Sequence, residues 1–204
     1  MDTMVKFIQE GGAFMYPIGL VLALGLAIAI ERWLFLMSAK NANKKAFEQI
    51  FPFIKKGDYQ KIITFSEKSK APIAKILAAG ALRSQQTQTR EEIAYAMEEG
   101  VMEAIPRLEK RTGYLATLAN IATLLGLLGT IIGLIAAFTA VATAEPSEKA
   151  SLLSASISVA MNTTAFGLIA AIPLLLLHSV LQTKTTEITD SLEMAGVKFI
   201  NNLT

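Results

Sequence analysis

Three stretches without a charged residue organise the chain: Gly11–Ile30, Thr112–Ala144 and Ala150–Thr183, of 20, 33 and 34 residues. A bilayer core takes about 20 mostly apolar helical residues, so each stretch predicts a membrane-spanning helix. The first span is expected over residues 14–39, with Tyr16-Pro17 near its outer end and Trp33 and Phe35 near its inner end. Trp and Tyr favour such interfaces because their rings are half polar. At a rise of about 1.5 Å per residue, 33 residues cover about 50 Å against a hydrocarbon core of about 30 Å. The second span (113–143) and the third (152–183) must therefore project beyond the hydrocarbon or line an aqueous space. The fold expected is an all-α integral membrane protein. It has three transmembrane helices and a helical cytoplasmic domain, with helices two and three long and extending into the cytoplasm.

The polar segments complete the organisation. Residues 1–13 are a short external segment, in which 1–10 predict one or two amphipathic turns with Val5 and Ile8 on one side. Residues 40–112 lack the alternation of strands and read as a helical domain. Lys55-Lys56-Gly57-Asp58 marks a helix end and turn. Ala71-Pro72 opens another helix, because Pro is tolerated in a first turn. Gln85-Gln86-Thr87-Gln88 is a polar break, and Thr89 with Glu92 predicts a capping box. Pro106 is expected to kink or interrupt the helix that follows, which resumes as span two. Residues 144–151 form a short external loop. Ile188, Leu192 and Ala195, at helical spacing, predict a further cytoplasmic helix over 184–204.

Charge sets the orientation. The chain is 52% apolar and 18% charged, with a net charge of only +2, but residues 39–112 carry fourteen Lys/Arg and nine Asp/Glu. The loop 144–151 carries one Lys and two Glu, and the first ten residues carry one Lys. Lys and Arg concentrate on the cytoplasmic side, which places 40–112 and the C-terminus inside and the N-terminus outside. The N-terminus has no basic cluster and its first apolar run is long enough to stay in the membrane, so no cleavable leader is expected. Glu31-Arg32 stands where the first span leaves the hydrocarbon. It reads as an interfacial pair whose side chains snorkel to water, or else as a buried contact to a neighbouring subunit.

Nothing resembles a catalytic site: there is one His, no Cys, no HExxH and no phosphate-binding loop. Neither a metal nor a cofactor is expected, and no nucleic-acid partner. Gly126, Gly129 and Gly133 lie inside a span, where small residues let helices approach closely. Asn120, Thr123 and Thr130 fall roughly on one face of span two. Ser151, Ser154, Ser158 and Asn162 form a second stripe on span three, with Thr163 and Thr164 beside it. These groups read either as glue between packed helices or as a hydroxyl-lined ion path. Pro173 leaves the carbonyl of Ile169 without its helical donor. Spans two and three contain no Asp or Glu, so a titrating carboxylate would have to come from a partner. His178 is the internal candidate for a titrating group, and its position near the inner interface reads as a polar anchor. From the hairpin, Thr130 and Thr164 each lie about 14 residues from the turn, at matching depth.

The segments Asn120-Ile-Ala-Thr-Leu-Leu-Gly-Leu-Leu-Gly-Thr130-Ile-Ile-Gly-Leu-Ile-Ala-Ala-Phe138 and Met161-Asn-Thr-Thr164-Ala-Phe-Gly-Leu-Ile-Ala-Ala-Ile-Pro173 resemble the second- and third-span signatures of the MotA/TolQ/ExbB proton-channel family. Lys56-Gly-Asp58 and Ala71-Pro-Ile-Ala74 fit its cytoplasmic region, and the short loops bring the chain nearer ExbB and TolQ than the flagellar stators. The resemblance implies a homopentamer in the bacterial inner membrane around single-span ExbD/TolR-like partners whose intramembrane Asp carries the ion. It further implies a TonB- or TolA-like protein downstream and lipid around the ring. The function it implies is that of a proton-channel subunit driving envelope work such as TonB-dependent transport. Thr130 and Thr164 match the family threonines facing that Asp. Val159 stands where many members have a Glu. The alternatives are a non-conducting scaffold that assembles partner proteins, or a gliding or flagellar-type stator subunit.

Overall fold

The computed structural model describes residues 12–87 and 89–203; the turns expected over residues 1–10 lie outside the described residues. Among the described residues six helices follow in order: α1 Met15–Lys55, α2 Tyr59–Lys68, α3 Pro72–Ser84, α4 Arg90–Glu109, α5 Thr112–Thr143 and α6 Lys149–Asn201. No strand occurs among the described residues. Three helical stretches among the described residues are long and apolar enough to cross a membrane: α1, α4 with α5, and α6. The protein is an all-α membrane protein.

Two compact units share these helices. One takes in the described residues up to Ile30 together with Arg111–Ser179; the other takes in Glu31–Lys110 and the residues from Val180 onward. The unit boundaries fall within α1, within α6 and at the junction of α4 with α5.

In the first unit the segments in contact present small residues to one another. Leu115, Ala119, Ala122, Gly126, Gly129 and Ala137 of α5 are buried, as are Ala160, Thr163, Gly167, Ala170, Ala171 and Leu174 of α6. Apart from the adjacent pair Ala170 and Ala171, each set repeats at steps of three, four or eight residues, the spacing of one helix face. The outward faces carry Leu124, Leu127, Ile131, Ile135, Leu168 and Ile172 instead. A β-carbon on Gly25 of α1 would stand 2.5 Å from Leu174 Cδ2, so this glycine leaves the hollow that the leucine fills.

The second unit is built the other way round. Ile50, Ile54, Ile62, Ile76, Leu77, Met97, Leu192 and Phe199 are buried, and Lys and Glu cover the outside. Its turns follow local chemistry. Gly57 (φ 65°) adopts the left-handed conformation that ends α1, a conformation that costs glycine little. Asp58 then caps α2 by accepting from the Lys61 backbone N–H (3.3 Å) and also meets the Lys61 ammonium.

Several local expectations differ from the structure. Thr89 occupies the N-cap of α4 but makes no side-chain capping bond, and Glu92 pairs with Arg83 instead (3.2 Å). Pro106 does not end α4, which runs on to Glu109 before Lys110 donates its N–H to the Pro106 carbonyl (3.1 Å). The break comes at Arg111, whose φ of 66° is left-handed. From 184 the chain does not start a new helix: α6 continues to Asn201. Arg32 does not snorkel. It is buried within its own unit, donates to the Leu108 carbonyl, and lies 4.6 Å from the Phe35 ring. The last four carbonyls of a helix have no donors within it, and the end of α4 supplies one of these to the guanidinium.

Candidate functional site

α5 and α6 form a hairpin closed by a turn in which Glu148 N–H donates to the Glu145 carbonyl (3.0 Å). Below it the two helices approach through glycine. A β-carbon on Gly126 would stand 3.2 Å from Gly167 Cα and 3.3 Å from Thr164 Cα. One on Gly167 would stand 2.7 Å from the Ala122 carbonyl oxygen, and one on Gly133 3.0 Å from Ala160 Cβ. Backbone atoms cannot swing aside as side-chain ends can, so Gly126 and Gly167 set the contact distance. Gly129 leaves room for the Thr163 methyl group.

That approach brings Thr130 and Thr164 together. Their hydroxyls touch each other. Thr130 Oγ1 also lies 3.3 Å from the Gly126 carbonyl and 3.2 Å from the Ala160 carbonyl, while Thr164 Oγ1 lies 3.0 Å from the Gly126 carbonyl. Two hydroxyls bring two protons to a cluster of four oxygens, so lone pairs remain unfilled whichever way the hydroxyls rotate. Both threonines are half-buried in the unit, which leaves one side of the cluster open. Its oxygens can accept a hydrogen bond from an approaching protonated acid, and a rotated hydroxyl can donate one to its ionised form. Within the charge-free stretches of α5 and α6 no carboxylate shares this setting.

The other residues singled out in the sequence divide. Thr123 is on the same face of α5, two turns from Thr130, with its hydroxyl 3.1 Å from the Ala119 carbonyl. Thr163 is buried, its hydroxyl donates to the Val159 carbonyl (3.0 Å), and its methyl fills the space over Gly129. Asn162 and Val159 are half-buried. At about 100° per residue they stand some 200° and 140° around α6 from Thr164, away from the hydroxyl pair. Val159 lies instead where a β-carbon on Gly12 would stand 3.3 Å from its Cγ1. Pro173 and His178 are half-buried, and α6 runs unbroken through Pro173. Gly167 was missed. Its signal was the run Ala160, Thr163, Gly167, Ala170, small residues at three- and four-residue steps. Among the described residues no group of His, Cys, Asp and Glu could hold a metal.

Comparison with known proteins agrees with this construction. Over 194 residues, 94% of this chain and 67% of the relative, the chain is 26% identical to an ExbB homologue of Methanothermobacter thermautotrophicus whose name places it in biopolymer transport. It is 26% identical over 173 residues, 84% of this chain and 81% of the relative, to an ExbB-like biopolymer transport protein of Synechocystis. It is 32% identical to the biopolymer transport protein ExbB of Pseudomonas putida over 91 residues, 45% of this chain and 27% of that protein. The profile of the MotA/TolQ/ExbB proton channel family, a family of channels rather than enzymes, matches residues 68–194. With that match over more than half its length, and with three apolar helices, two of which bring a hydroxyl pair together, the chain belongs to the MotA/TolQ/ExbB proton channel family and is of ExbB type.

Proposed function

We propose that the protein is the multi-copy proton-channel subunit of an inner-membrane motor, working with a single-span partner whose intramembrane Asp meets Thr130 and Thr164. The observation that carries this reading is the hydroxyl pair at one depth of two charge-free helical stretches. A carboxyl group in a dry setting prefers to be neutral, and hydrogen bonding to its charged form favours ionisation. As the partner turns inside a pentameric ring, its Asp alternates between apolar wall and hydroxyl cluster, and so takes up and releases a proton. One charge crossing 100 mV releases about 2.3 kcal/mol, the energy source for envelope work such as TonB-dependent transport. The N-terminus and the 144–151 loop face outside; residues 40–112 and the C-terminus face the cytoplasm.

The test is Thr130→Val and Thr164→Val, expressed with the partner gene. Val keeps the shape and removes the hydroxyl. Proton flux is expected to be abolished with complex yield nearly normal, and Ser at either position is expected to retain part of it. Full flux in both Val variants removes the pair from the path. The absence of carboxylates from α5 and α6 between Thr112 and Ala144 and between Ala150 and Thr183 favours a second reading, a scaffold that conducts nothing. That reading predicts complexes without flux in the wild-type protein.

A further inference from the structure

On α4, Glu91, Tyr95, Glu98 and Met102 recur at i, i+4, i+7 and i+11, which sets them on one stripe. Ile93, Met97 and Val101 point into the unit, while all four stripe residues are exposed, Tyr95 by 68% and Met102 by 61%. The helix is acidic, with six Glu against two Arg. Some of this charge is already answered: Glu92 by Arg83 (3.2 Å), and Glu99 and Glu103 by a cavity they share with Lys70, Lys75 and Arg107. Glu91 and Glu98 form no ion pair among the described residues.

The same unit carries a surface of opposite sign. Between the second half of α1 and the last turns of α6 runs a groove of about 390 Å³, floored by Phe47, Ile73 and Ala195, with Met194 exposed at its side, and rimmed by Lys40, Lys44 and Lys198. Lys40 is held by Glu187 (2.8 Å). Lys198 lies over the Phe47 ring (5.4 Å) without a carboxylate, and Lys44 has no ion pair among the described residues. Glu48 is the one other acid on the rim. An apolar floor inside a basic rim is complementary to an aromatic and a thioether set between two glutamates.

We propose that the α4 stripe of one copy docks in this groove of a second copy. The inference rests on the multi-copy reading above and names the surface that joins the copies outside the spans. Stripe and groove are different patches of one chain, so the contact is heterologous, the kind that builds a ring where the rotation between copies closes, and not a two-fold dimer. Glu91 and Glu98 stand about 10 Å apart along the helix axis, which lets both meet lysines while Tyr95 and Met102 enter the floor.

The native chain has no Cys, which makes the test clean. Two differently tagged full-length chains, one Lys44→Cys and one Glu98→Cys, are co-expressed in membranes and treated with a short thiol cross-linker. Cross-linking between the two tags is expected to exceed either self-pair several-fold. Equal self-pairing, or no mixed product, overturns the proposal. Charge reversal supplies a second measurement. Lys44→Glu with Lys198→Glu, and separately Glu91→Lys with Glu98→Lys, are each expected to lower the oligomer fraction, and all four together to restore it. Unchanged oligomers in both reversals overturn the contact, and so does loss of the single-span partner from an intact ring, which would assign the groove to that partner. In either event the flux results for Thr130→Val and Thr164→Val stand unaffected. A wild-type chain that is monomeric in native membranes would remove both readings.

Discussion

The two units bury different mixtures of residue, small ones prevailing in the first and bulky ones in the second. The unit containing Arg111–Ser179 buries Ala119, Ala122, Ala160 and Ala170 and turns Leu and Ile outward. The unit containing Glu31–Lys110 buries Ile, Leu, Met and Phe and turns Lys and Glu outward. The solvent explains the inversion. In water, burying bulky apolar side chains drives packing at about 25 cal/mol per Å². In lipid that drive between helices vanishes, and close approach through small residues takes over. A hydroxyl pair such as Thr130 and Thr164 suits the second setting, because its alternative partner is hydrocarbon rather than water. The left-handed break at Arg111 lies where one regime gives way to the other.

The most severe way to break this comparison is to put bulk where lipid packing demands its absence. Gly167→Leu forces side-chain atoms onto the Ala122 carbonyl. Overpacking costs about 1–3 kcal/mol and more where backbone cannot yield, so folded protein is expected to vanish from detergent extracts. Gly19→Leu, with nothing within 4 Å of its β-carbon, is expected to leave the yield of this chain alone unchanged. Comparable losses in both would show that helix propensity, not approach distance, governs the seam.

Next in size is the opposite perturbation, removing bulk from the unit packed by the hydrophobic effect. Phe199 is fully buried and reaches toward Gly80 and Tyr59. Phe199→Ala is expected to cost about 3–5 kcal/mol, read as earlier proteolysis and a lower denaturation midpoint. Leu124→Ala, on the outward face of α5, is expected to cost far less. Equal losses would erase the distinction between the units.

Arg32 probes a polar group held in a core. Arg32→Met keeps the stem and removes the donor to Leu108. Leaving a buried acceptor without its bond costs about 1–3 kcal/mol, and thermal melting in detergent should register that loss. An unchanged melting temperature would mean that the Leu108 carbonyl finds another donor.

The smallest effect is at the surface. The Lys61 hydrogen bond holds the Asp58 carboxyl below its ordinary pKa. A lowered folded-state pKa contributes stability that is present above the unfolded value and lost as pH falls through the folded one. Asp58→Ala is therefore expected to lower the melting temperature slightly at neutral pH, with the gap closing below the carboxylate range. A gap that widens in acid would contradict the capping role.

Much of this protein is legible in one dimension. Charge-free length determined the three spans, because hydrocarbon excludes ionised groups whatever the fold, and the glycines at 126, 129 and 133 marked the face of close approach. Equal counting from the turn even set Thr130 and Thr164 level, because an antiparallel hairpin of regular helices preserves depth. Other features were decided only in three dimensions. Gly167 gained its role from the helix opposite, since a contact distance belongs to two backbones at once. Thr163, Asn162 and Val159 share a segment with Thr164 and yet leave the cluster, because helical rotation separates near neighbours. Arg32 looked like a charge bound for water until the orphan carbonyl of Leu108, 76 residues away, gave it a partner inside. Local pattern reports which solvent a residue prefers; which partner satisfies it depends on what the rest of the chain brings alongside.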